Sequence, residues 1–82
     1  MITKNATLQD LLDIAIHTLP DVDSGETFIV KDLFRGFEWA RIPVGNRTKL
    51  GALFLAYCKG EGAVQLESLG KTAQNQQIYR KK

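Results

Sequence analysis

A chain of 82 residues, 44% hydrophobic and 24% charged, is one small folded domain rather than a disordered segment. No apolar run reaches the ~20 residues of a membrane span. Met1-Ile-Thr-Lys-Asn leads into an amphipathic segment instead of a secretory signal, so a cytoplasmic setting with no membrane partner is expected. The net charge of +2 hides a polarity. Residues 1–38 hold three cations against seven acids, whereas residues 39–82 hold eight cations against two acids. An acidic support joined to a basic half suits a small nucleic-acid binder, because only the contacting surface needs positive potential. The alternative is chance variation in a short chain.

In chain order, residues 1–6 form a tail, and Thr7-Leu-Gln-Asp10 opens a first helix with the form of a capping box. Leu8, Leu11, Leu12, Ala15 and Leu19 line one face of it, Ile14 and Ile16 flank that face, and Pro20 stops it. So wide an apolar face marks a core helix or a homodimer contact. His17 falls on the far side and reads as a surface residue. Asp21-Val-Asp-Ser-Gly-Glu is a turn whose acids fail the calcium-loop pattern further on. Thr27-Phe-Ile-Val is β-prone, and Lys31-Asp-Leu-Phe makes one or two helical turns closed by Gly36. Phe37 to Pro43 fits either another helical turn or an extended link, with Trp39 and Ile42 towards the core.

The segment from Pro43 to Gly62 organises the rest. Leu50, Leu53, Phe54 and Tyr57 recur at the spacing of one helix face, Asn46 stands as the cap, and Gly60 and Gly62 can end the helix in a left-handed turn. The opposite face carries Thr48, Lys49, Ala52, Ala56 and Lys59, small in the middle and cationic towards its ends. Such a face can approach a polyanion closely; an ordinary surface helix is the plain alternative. Beyond Gly62, Val64 and Leu66 alternate with Gln65 and Glu67, and Ile78 and Tyr79 mark a second β-prone run. The loop from Gly70 to Asn75 holds Lys71, so a hairpin is expected. Tyr79 lies among Gln76, Gln77, Arg80, Lys81 and Lys82, a setting that suits a stacking or phosphate contact.

Catalytic and metal readings fail on composition. One His and one Cys cannot build a Cys/His metal cluster, and no Ser/His/acid order or catalytic carboxylate pair can be assembled. Gly70-Lys71-Thr72 lacks the earlier glycine of a phosphate loop, since Gln65 stands there. No enzyme, cofactor or small-molecule substrate is expected. Cys58 excludes an internal disulfide, agrees with a reducing compartment, and reads as a small buried residue.

The run Val30-Lys31-Asp32-Leu33-Phe34, then Gly36, Glu38-Trp39, Ile42-Pro43, Arg47, Leu50-Gly51 and Phe54, continues into Leu69-Gly70-Lys71-Thr72, Asn75-Gln76-Gln77 and Tyr79. As a set it resembles a family of short uncharacterised proteins of Gram-positive bacteria, often carried on phages, plasmids or conjugative elements. The resemblance implies a small helical domain with a β-hairpin, similar in layout to winged-helix accessory proteins of conjugation systems, and it raises the expectation of DNA binding without naming contacts.

The expectation is an α+β winged helix-turn-helix, about three helices and a C-terminal hairpin, binding double-stranded DNA as a regulatory or accessory factor of a mobile element. The helix over 46–59 would enter the major groove, led by Asn46, Arg47, Thr48 and Lys49, with Ala52 and Lys59 on the same face. Arg41, Lys71 and Arg80 would hold phosphates, Tyr79 would add a hairpin contact, and the first helix would make a homodimer. Single-stranded DNA binding through the hairpin and a protein-interaction module without nucleic acid are the alternatives.

Overall fold

The computed structural model describes residues 6–74 and 76–82; residues 1–5 of the expected 1–6 tail, and Asn75, lie outside them. Three α-helices, α1 (Leu8–Thr18), α2 (Gly36–Ala40) and α3 (Val44–Lys59), are joined to an antiparallel sheet of β1 (Thr27–Phe28), β2 (Leu66–Lys71) and β3 (Gln77–Lys81). The sheet order is β1-β3-β2, so the C-terminal strand lies in the middle and ties the short first strand to the hairpin. No described helix is long and apolar enough to cross a membrane.

The helix starts follow local chemistry. At α1 the capping box forms: the Thr7 hydroxyl accepts from the Asp10 N–H and the Asp10 carboxylate accepts from the Thr7 N–H, both at 3.1 Å. Two unpaired donors of the first turn are thereby satisfied. Leu11, Ala15 and Leu19 are buried, and Pro20 sits in a single 3-10 turn over Leu19–Asp21. The apolar side of α1 on which a homodimer was expected thus faces the chain's own core. His17 is on the surface, its Nδ1 2.7 Å from the Asp13 carbonyl.

Several local expectations need correction. The helical turn expected near Lys31 is present as a 3-10 turn over Val30–Leu33, but Gly36 opens α2 instead of closing it. Asn46 is not the cap of α3. Pro43 takes that place, its carbonyl accepting from the Asn46 and Arg47 N–H groups at 2.9 and 3.1 Å. Proline suits the entry because it has no N–H to leave unpaired. At the other end Gly60 has φ −102° and ψ −111°, so the helix does not end in a left-handed turn. Gly62 is needed for closeness instead, since a Cβ there would stand 2.6 Å from the Tyr57 ring. Val64 belongs to a 3-10 turn and is 86% exposed, so the strand begins at Leu66.

The core gathers between α1, α3 and the inner side of the sheet. On α3 the buried line is Leu50, Phe54 and Cys58, at i, i+4 and i+8, while Leu53 is 38% exposed. Phe28, Phe54 and Tyr79 form its aromatic centre: Tyr79 stacks on Phe28 at 5.8 Å between centroids and meets Phe54 edge-on at 4.9 Å. Tyr79 has no exposed surface, which overturns its expected role as a surface stacking residue. Strand alternation turns it inwards, and the inner side of β3 is the side that packs on α3. The charged ending of the chain is structural as well. The Lys81 ammonium donates to the Leu19 carbonyl at 2.8 Å and the Lys82 ammonium to the Ala63 carbonyl at 2.8 Å, so these lysines anchor the last strand.

Burial pushes the Tyr79 phenol up from its ordinary 10 to about 12, with the neighbouring Cys58 adding to the rise. Burial likewise raises the Cys58 thiol, opposed by Lys82 and Lys59. A raised folded-state value means that stability is whole below pH 10 and falls as pH rises towards 12, where the unfolded chain loses the Tyr79 proton first. Denaturant unfolding across that window is expected to show the parent losing stability relative to Tyr79→Phe. A difference between the two that stays constant with pH refutes it.

Candidate functional site

An open groove of about 580 Å³ separates the exposed side of α3 from the hairpin. One wall is α3, through Val44, Arg47, Thr48, Gly51, Ala52 and Leu55, with Trp39 from the end of α2 beside it. The facing wall is the hairpin, through Lys71, Gln74, Gln76 and Gln77. The segment after β1, from Ile29 to Lys31, closes one end, and Tyr79 contributes to the floor. Lys31, Arg47 and Lys71 therefore meet in one concavity, and among the described residues no Asp or Glu lines it. Asp32, next in sequence to Lys31, is not among the lining residues, and its carboxylate accepts from the Ile29 N–H at 3.0 Å.

Lys71 reaches the groove through a shift of register. Ser68 pairs with Tyr79, but Gly70 pairs with Ile78 and Lys71 with Gln77, so Leu69 is an extra residue in β2. Gly70 accommodates the irregularity with φ +99°, a conformation that costs glycine little. Without the extra residue, alternation would place Lys71 on the outer side of the sheet. With it, Lys71 stands on the side of Gln77 and Tyr79, facing α3. The loop is held by Thr72, whose hydroxyl accepts from the N–H groups of Gln74 and Gln76 at 3.2 Å each. The Gln77 side-chain amide donates to the Gly70 carbonyl at 2.9 Å and is thus tied within the hairpin.

Arg47 is fixed more tightly than a surface cation. One of its terminal nitrogens donates to the Trp39 carbonyl at 3.1 Å, and its guanidinium carbon lies 5.4 Å from the centre of the Trp39 ring. Its Nε is buried without a hydrogen-bond partner among the described residues. Trp39 is itself steadied by Phe34, with ring centres 5.7 Å apart.

The residues singled out in the sequence divide accordingly. Arg47, Thr48, Ala52 and Lys71 line the groove, and Tyr79 reaches it as buried floor. Lys49 and Lys59 are exposed on α3 but outside the lining, and Asn46 is half-buried in the first turn. The Arg41 guanidinium lies 5.0 Å over the Phe37 ring, away from the groove. Arg80 is on the outer side of the sheet and forms an ion pair with Glu67 opposite it, which offsets its charge. Sequence reasoning passed over Lys31 and Gln74. Lys31 falls in the acidic half by charge counting, and its only signal is its place in the Val30–Phe34 run.

A family profile described as a domain of unknown function (DUF1413) matches residues 13–81, nearly the whole chain. The chain belongs to this family. Among curated proteins and solved structures no match is found. The DUF1413 assignment covers α3, the hairpin and every residue of the groove.

Proposed function

We propose that this DUF1413 protein binds double-stranded DNA through the groove side of α3 and the hairpin. The observation that carries the reading is the meeting of Lys31, Arg47 and Lys71 in one concavity with no acidic residue in its described lining. Phosphates are the ligand such a surface favours, because cations from three separate segments line one concavity and act together. The order helix, strand, two helices and hairpin, with β1 beside β3, supports a winged helix-turn-helix layout in which α3 is the recognition helix. Small Gly51 and Ala52 in mid-helix leave room for a nucleic-acid strand to lie close against α3. The resemblance to small proteins of Gram-positive bacteria and their mobile elements supports a regulatory or accessory role there. Single-strand binding by stacking on Tyr79 loses its residue, since that ring is in the core.

The test is fluorescence anisotropy of labelled duplex and single strands across a salt series. Three phosphate-neutralising cations give an expected slope of about −2.7 in log K against log salt, at about −0.9 each. Duplex affinity should then fall by roughly fortyfold between ~50 and ~200 mM salt. Preference for single strands, or no binding to any duplex at low salt, overturns the proposal.

A further inference from the structure

We infer that the groove seats one sugar–phosphate strand of the bound duplex, and that Arg47, oriented by Trp39, is the clamp on one of its phosphates. This rests on the duplex-DNA reading above and adds which cations carry the contact and which do not.

Charge complementarity selects the occupant. Lys31, Arg47 and Lys71 come from three separate segments around one trough, whose other polar lining includes the Thr48 hydroxyl on the helix and the Gln74 and Gln76 amides on the loop. A phosphodiester strand presents acceptors along its length, and every one of these groups can donate to it. An acidic peptide would also be attracted, but its side chains need apolar or donor partners spaced to match, whereas phosphates meet cations on either side of the backbone.

Arg47 is the group prepared for this contact. A surface arginine surrenders much rotamer freedom when it binds an anion. Here the Trp39 carbonyl at 3.1 Å and the Trp39 ring at 5.4 Å already hold the guanidinium in the free protein. Among the described residues one of its five N–H groups donates a hydrogen bond, to the Trp39 carbonyl, and the buried Nε has no acceptor. The Nε has no accessible surface, so an acceptor brought into the groove meets the remaining terminal N–H groups of the guanidinium, which the Trp39 contacts already hold in place. Trp39 acts through Arg47 and is a positioning residue, not a contact. Lys49, Lys59 and Arg80 lie outside the lining, and Arg80 already pairs with Glu67.

Salt slopes separate these roles on a single duplex, with circular dichroism confirming that each variant is folded. Arg47→Ala and Lys71→Ala are each expected to make the slope shallower by about 0.9, and Arg47→Ala to weaken binding roughly tenfold. Arg47→Lys should restore the slope but not the affinity, because the charge returns without the planar fork. Trp39→Leu should keep the parent slope and weaken binding several-fold, the signature of a cation present but no longer held. Lys49→Ala, Lys59→Ala and Arg80→Ala should each leave the slope unchanged. Should Arg47→Ala not fold, Arg47→Lys and Lys71→Ala decide. An unchanged slope in Lys71→Ala or Arg47→Ala, or an equal loss in the variants outside the groove, overturns the inference while duplex binding stands. If the parent binds no duplex at all, the functional reading fails and the inference with it.

Discussion

An Ala52→Glu variant is expected to keep its fold and lose duplex binding altogether. Ala52 is exposed on α3, so the longer side chain displaces nothing from the core. Glutamate is a good helix former, and an exposed change of this kind usually costs within ~0.5 kcal/mol. Its effect on binding comes from position. Ala52 lines the groove with Arg47 and Lys71, and a carboxylate there repels phosphate and offers both cations an internal partner. Ala56, one turn further along and also exposed, lies outside the lining and supplies the control. Ala56→Glu changes net charge by the same amount and should weaken binding only a few-fold. Thermal melting and anisotropy on the two variants decide the matter. Equal losses would mean that total charge, not the groove, governs binding; a stable Ala52→Glu protein that still binds removes this face of α3 from the interface.

Tyr79 is expected to give the largest change in stability, and in opposite senses for two substitutions. Its ring is fully buried against Phe28 and Phe54, in the middle strand that joins β1 to the hairpin. Truncation to Ala leaves a large cavity at the point where helix and sheet meet, at a cost of ~3–5 kcal/mol. That is comparable to the whole stability of many small domains, commonly ~5–15 kcal/mol, so Tyr79→Ala should be largely unfolded near its working temperature. Tyr79→Phe keeps the ring and removes only the hydroxyl. That hydroxyl is buried with no hydrogen-bond partner among the described residues, so its loss should leave stability unchanged or raise it. Chemical denaturation of the pair measures both effects. A Phe variant as damaged as the Ala variant would show that the hydroxyl has an essential partner.

The family assignment sets the scope of these experiments. Since the DUF1413 match spans residues 13–81, the groove and its surroundings are features of the matched domain and not of an appended tail. The same variants can therefore be carried to other members, wherever their residues correspond to Lys31, Arg47 and Lys71.

Much of the local structure was legible in the residues alone. Thr7 and Asp10 announce α1, and the spacing of Leu11, Ala15 and Leu19 announces its buried side, because capping and helical period act within a few residues. The exposed face of α3 was equally readable from Thr48, Lys49, Ala52, Ala56 and Lys59, all of which are at the surface. So was the presence of a C-terminal hairpin, with β2 and β3 paired antiparallel. What local pattern could not decide was which charges share a surface. Lys31 sits among acids in the chain yet lines the same groove as Arg47 and Lys71, because β1 pairs with the last strand of the fold. Arg80 and Tyr79 are neighbours in sequence and lie on opposite sides of the sheet, one paired with Glu67 and the other in the core. Lys71 faces α3 only because Leu69 is accommodated as an extra residue, and a one-residue slip reverses every side chain beyond it. Strand register and sheet order are set by long-range pairing, and no window of a few residues contains that information.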